Sequence, residues 1–201
     1  MDTQGSGYNE DVLFNLIKTY IYDDISVTSL PKNDKAYNQL QEYISKLSLR
    51  TIRGKKDHEL VNKINGKVFK PLNENPQGIT EFSLSFNADG SGTFNYINAQ
   101  GKKKLDFKYG ENAYQKFPQL GYSDMICNVP AGGDFMYDCA VSGAWTYGNR
   151  FAILVQIIDK YFGNLTMSFD FKGDIVNVRM AKVAEYFLNE YNGSFTAKMQ
   201  E

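Results

Sequence analysis

The chain has 201 residues, 42% of them hydrophobic, enough for one sizeable core and near the upper size of a single all-β domain. Its 22 Lys and Arg stand against 23 Asp and Glu, so no excess charge draws it to nucleic acid or to an anionic membrane. No run approaches the ~18 uninterrupted apolar residues of a membrane-spanning helix, and no Cys or His cluster has metal-ligand spacing. The 14 Tyr and 14 Phe, with frequent Gly and Asn, favour pleated strands and tight turns.

In chain order, the first segment, Met-Asp-Thr-Gln-Gly-Ser-Gly, lacks the basic and apolar regions of a signal peptide, which leaves localisation open. Leu13, Leu16, Ile17 and Tyr20 fall on one face of a helix over Glu10 to Tyr22. Tyr37, Leu40, Ile44 and Leu47 repeat the pattern, with Asn33 or Asp34 as its cap. Ser26 to Pro31 reads as an extended connector between them, and the charged stretch Thr51 to Asn65 as loop or frayed helix.

After Gly66 the apolar period changes from 3.6 to 2. Strands are expected at Gly66 to Lys70, Thr80 to Phe86, Gly92 to Ile97, Lys103 to Lys108, Ser123 to Val129, Phe135 to Thr146, Phe151 to Asp159, Leu165 to Phe171 and Ile175 to Met180. Asn87 to Gly92 and Asn98 to Gly101 supply hairpin turns. Phe151 to Ile158 is apolar on both faces and needs a cover outside as well as inside, a role assigned to the N-terminal helices. Ala184 to Tyr191 has helical spacing, ended by Gly193. The fold is therefore read as mainly β with N-terminal helices (α+β). Residues 1–65 form a helical lead-in, and residues 66–201 an antiparallel barrel of about 8–9 strands, closed or nearly so.

Candidate chemistry is sparse. Ser29-Leu30-Pro31-Lys32 has the spacing of a serine–lysine nucleophile pair, but Pro31 keeps the two off a common helical face. Asn87, Asp89, Ser91 and Gly92 copy the start of a calcium loop, yet the twelfth position is Asn98 where a bidentate Glu is needed; a hairpin turn is favoured. His58, the one histidine, reads as a solvated loop residue. Lys102 to Lys104 reads as a solvated strand start. Trp145, Phe135, Tyr137, Tyr147 and Tyr161 either line a pocket in the barrel mouth for a small apolar ligand or fill the core, and filled interiors are the rule for small barrels. Cys127 and Cys139 lie symmetrically about Gly133. If their segments pair about that turn a disulfide can form; otherwise they are two ordinary thiols. No catalytic residue, cofactor or metal is assigned.

Three stretches carry a family resemblance: Gly66-Lys67-Val68-Phe69; Trp145 to Phe171, with Gln156-Ile157-Ile158-Asp159 and Gly163 to Phe169; and Ala184 to Gly193. Together they resemble the C-terminal, non-catalytic module of bacterial serine hydrolases of the β-lactamase and penicillin-binding-protein superfamily. Leu13 to Ile17 and Lys35 to Gln41 are similar to the closing helix of the hydrolase domain and to the linker helix after it. The resemblance implies a lipocalin-like barrel beside an upstream serine-hydrolase domain, and an extracytoplasmic place if that hydrolase is exported. The catalytic domain itself is missing from this sequence, so no activity is carried over. The functional expectation is a non-catalytic accessory or binding module; the alternative is a free-standing carrier of a small apolar ligand.

Overall fold

A computed structural model describes residues 9–22, 25, 28–29, 31–120, 125–126, 129–130, 136–159, 162–183, 188 and 191–200. The chain divides into two compact units, Met1–Leu49 and Arg50–Glu201.

The first unit holds two helices. In α1 (Glu10–Tyr20) the Asn9 side chain accepts the Val12 amide, and Glu10, Asp11 and Lys18 suit the helix dipole. In α2 (Asp34–Ser45) Asn33, of the two candidate caps, accepts the Ala36 amide at 2.9 Å. The predicted apolar stripes are present but exposed: Leu16 in α1, Tyr37, Leu40 and Ile44 in α2, and Leu47 just after it. Only Ile17 is buried.

The second unit is a barrel. After the short helix α3 (Val61–Ile64) come β1 (Val68–Pro71), β2 (Glu81–Phe86), β3 (Ser91–Asn98), β4 (Gly101–Lys108) and β5 (Ala113–Leu120). Two short strands, β6 (Met125–Ile126) and β7 (Val129–Pro130), precede the long β8 (Met136–Trp145), β9 (Arg150–Ile158), β10 (Phe162–Lys172), β11 (Ile175–Val183) and β12 (Gly193–Met199). The sheet order is β4-β3-β2-β1-β12-β11-β10-β9-β8, and β4 meets β8 to close nine strands into a lipocalin-like barrel. All pairings are antiparallel except that closure, where Lys108 and Ser142 pair in parallel. β5 lies against the same edge of β8, and Gln115 ties it to β4: its amide bonds both the N–H and the C=O of Asp106.

Four expectations change. Ser123 to Val129 is not one strand: the short β6 and β7 pair with each other. Two strands were not expected. β5 contains Pro118 and a register shift between Lys116 and Leu120, which spoil its alternation. β12 starts at Gly193, read from the sequence as a helix stop. Most of the expected helix at Ala184 to Tyr191 lies outside the described residues; Leu188 and Tyr191 are buried. The boundary between units falls at 49/50 and not at 65, because Arg50 to Lys56 is bonded to the barrel, as described next.

Candidate functional site

Strand alternation sends every second residue inward. On β8 these are Tyr137, Cys139, Val141, Gly143 and Trp145, and the register sets Val155 and Leu165 beside Val141, and Phe151 and Phe169 beside Trp145. The two ends of this column differ. Where β8 finishes, Trp145 packs on Phe151 at 5.3 Å, Phe86 at 5.8 Å and Phe171 at 6.0 Å. Its buried indole N–H has no hydrogen-bond partner. Where β8 begins, the rings carry hydroxyls: Tyr96 and Tyr191 bond each other at 2.8 Å, and Tyr191 meets Phe117 edge-on.

Between the two ends the barrel is solid. An empty ligand chamber leaves its walls open to a water molecule inside it, whereas Phe94, Leu105, Ile153, Leu165, Met167 and Phe169 are each 0% exposed. Two glycines make this density possible. A Cβ on Gly143 would lie 2.8 Å from the rings of both Phe107 and Phe151, and one on Gly92 would lie 2.3 Å from Phe107. Phe107 thus occupies space that any larger residue at either position would claim.

The outward face of β8 and β9 is covered by an extended strap, Arg50 to Lys56. Lys55 and Trp145 exchange backbone bonds of 2.7 and 2.9 Å along the free edge of β8, next to the β4 closure. Gly54 lies so close that a Cβ there would be 2.2 Å from the Trp145 carbonyl oxygen. The Ile52 N–H donates to Ser142 Oγ at 3.0 Å, and Gln156 Nε2 donates to the Arg50 carbonyl at 3.0 Å. Ser142 and Gln156 are the buried polar exceptions in these strands, and the strap backbone is what they hold. Tyr109 reaches across to donate to the Gly54 carbonyl.

Of the five aromatic residues proposed to line a pocket or fill the core, three are described. Trp145 and Tyr137 are both inside but eight residues apart on one strand face, about 26 Å. Tyr147 is 67% exposed in the β8–β9 turn, with Arg150 over its ring and bonded to its hydroxyl. Phe135 and Tyr161 lie outside the described residues. His58 is not a solvated loop residue: its ring stacks on Trp145 at 4.4 Å, a contact across 87 positions that no local pattern announces.

Ser29 and Lys32 lie in an irregular connector, and Lys32 pairs with Asp34 at 2.9 Å. The Asn87 to Gly92 stretch is a hairpin turn. Gly90 takes φ +91°, and the Asp89 carboxylate accepts the Ser91 amide and hydroxyl, which holds its pKa below the usual carboxylate range. Within Lys102 to Lys104, Lys104 pairs with Asp106. Cys139 is a buried free thiol whose pKa is pushed up to about 12, first by burial and then by Asp138. Its strand neighbours are Gln115 and Ile157, one on each side of β8. Cys127 itself lies outside the described residues. Among the described residues no three His, Cys, Asp or Glu side chains gather as metal ligands would, and no helix is long and apolar enough to cross a membrane.

Comparison with known proteins yields no matching family model and no matching curated relative. Among solved structures, the chain is similar to a fatty acid-binding protein from brain tissue of Drosophila melanogaster, at 10% identity and TM-score 0.45, covering 67% of this chain and 98% of that one. It is similar to the fatty-acid-binding protein of Manduca sexta, at 13% identity and TM-score 0.40, covering 69% and 99%. Human cRBP IV matches at 12% identity and TM-score 0.40, covering 67% and 95%.

Proposed function

We propose that this chain is a non-catalytic module that works as a solid body beside a serine-hydrolase domain. The observation that carries the reading is the packed interior: the barrel's rings fill one another's space, so the outside is the surface available for interaction. The sequence resemblance supplies the class of partner. The exposed apolar faces of α1 and α2, with Phe14, Leu16, Tyr37, Leu40 and Ile44, suit burial against another protein.

A carrier of a small apolar ligand is the second reading, favoured by the closed barrel itself, an architecture that encloses one small ligand in other proteins. It requires interior rings such as Phe94 and Phe169 to move aside. A titration with a fluorescent long-chain fatty acid separates the two, with Trp145, the single tryptophan, as reporter. The solid-body reading expects no saturable change in Trp145 emission; saturable one-to-one quenching puts the carrier in its place. Ester and β-lactam substrates are expected to turn over no faster with the chain than in buffer: Ser91 does donate to the Asp89 carboxylate, but that group is held below its ordinary pKa and is too weak a base to activate the hydroxyl.

A further inference from the structure

The molecule uses side-chain amides in one recurrent way. Gln115 pairs with the backbone N–H and C=O of Asp106 at 2.9 and 2.6 Å. Asn65 pairs with those of Phe86 at 2.9 and 3.2 Å, and Asn75 with those of Ile79 at 3.0 and 2.8 Å. In each case the amide oxygen accepts from, and the nitrogen donates to, one residue's backbone, as a neighbouring strand would. Gln77 breaks the pattern. It is 4% exposed, yet neither its Oε1 nor its Nε2 has a hydrogen-bond partner. Buried polar atoms are nearly always paired, so a side chain with both unpaired marks a place where a partner belongs.

The surroundings show where that partner would lie. Gln77 is the tip of the Asn75–Ile79 turn, stapled at its base by the Asn75–Ile79 pair and by the Gly78 N–H donating to Asn75 O at 3.0 Å. The tip folds onto Gly193, where an added Cβ would lie 3.1 Å from the Pro76 ring and 3.4 Å from Gln77 Nε2. Gly193 opens β12, and the β1 side of β12 is bonded only from Thr196 onward, through the Leu72 N–H and the Pro71–Ala197 pairing. Two grooves lie near the turn and share Asn73 and Glu74 just before it. One of about 480 Å³ is lined by Pro71, Asn75 and Ile79, the other of about 530 Å³ by Asn73, Glu74, Ser194 and Thr196. A turn fixed at its base, with no hydrogen bond from the side chain at its tip, is built to lift.

We propose that the Asn75–Ile79 turn is a clasp that opens away from Gly193, and that Gln77 then binds a ligand presenting a donor and an acceptor side by side. That edge belongs to one residue of an extended segment laid along the start of β12, whose own N–H and C=O point the same way, or to a small primary amide. An ionised carboxylate offers acceptors alone and would leave Gln77 Oε1 unpaired. The site is independent of any hydrolase partner.

The test uses the full chain and Gln77→Leu, which keeps most of the side-chain volume and removes both unpaired atoms. The variant is expected to melt higher than the native protein, because a buried unpaired amide has been replaced by an apolar group. A lower melting temperature means that the amide is already bonded when the turn is closed, and overturns the proposal. Binding is read from amide NMR shifts of Gly78 and Gly193 on addition of N-acetyl-trialanine amide, butyramide or butyrate. At least one of the two amides is expected to shift the native protein saturably and bind Gln77→Leu about tenfold more weakly, the loss of a modest hydrogen-bond pair. Butyrate is expected to shift neither protein. A response to the tripeptide alone assigns an extended chain, and a response to butyramide as well assigns any primary amide. Absence of shifts with both amides, or equal affinity for Gln77→Leu, overturns the proposal.

Discussion

Two stretches before the barrel make opposite use of their residues. The helices α1 and α2 have caps, dipole-matched charges and clear apolar stripes, yet most of those apolar side chains are exposed. The strap Arg50 to Lys56 has no period at all, yet backbone and side-chain bonds fasten it to β8 and β9. Regular patterning tells which face of an element is apolar, not what covers it. Covering the two-faced strand β9 takes backbone donors and acceptors delivered at Ser142, Gln156 and the Trp145 edge, and an extended segment delivers them.

The largest test of this contrast is truncation. A chain beginning at Leu49 keeps the strap and is expected to fold. One beginning at Leu60 strips Ser142 and Gln156 of their strap partners and frees the edge of β8, and it is expected to aggregate on expression. Equal soluble yield and equal melting of the two would erase the strap's role.

Gly54→Ala comes next, since its Cβ meets backbone oxygen that no rotamer change can move aside. Overpacking together with loss of the Lys55–Trp145 bonds costs about 3 kcal/mol, roughly 6–12 °C in Tm for a chain of this size. Gln156→Leu, which strands the Arg50 carbonyl, is expected to cost about 1–3 kcal/mol by urea denaturation. Leu40→Ser on the exposed face of α2 should instead stay within about 0.5 kcal/mol of the native protein. A reversal of that order would mean that the helices, and not the strap, carry stability.

The smallest effect is pH-dependent. Lys63 on α3 pairs with Asp174 in the β10–β11 turn at 2.8 Å, and this bond holds the Asp174 carboxyl below its ordinary value. A carboxylate with a depressed folded pKa stabilises the fold fully above its unfolded pKa of about 3.9, and that contribution fades as pH falls through the folded value. Asp174→Asn should therefore differ from the native protein above about pH 4 and converge with it in stronger acid. Both groups are well exposed, so the difference is expected to be slight. Parallel melting curves at every pH would show that the ion pair contributes nothing.

Much of the fold was legible because local rules and tertiary packing agree. Both helices follow from their 3.6-residue stripes, α2 also from its Asn33 cap, and β9 from a run apolar on both faces. β5 was illegible because Pro118 and a bulge break its period. The His58–Trp145 stack could not be read, since only the closed barrel brings residue 58 to residue 145. The strap left one readable trace. Ser142 and Gln156 stand as polar residues within strands apolar on both faces, and a buried polar side chain in such a strand asks for a bonded partner. Tyr137 and Trp145 share a face but occupy opposite ends of one strand, a separation that their residue type alone does not announce.

Amide hydrogen exchange tests the central claim most directly. If the strap belongs to the barrel's solid body, the Lys55 and Trp145 amides exchange as slowly as those of Ile153 and Leu165, while the amides of α2 exchange faster. Lys55 and Trp145 amides that exchange as fast as those of α2 would contradict the account.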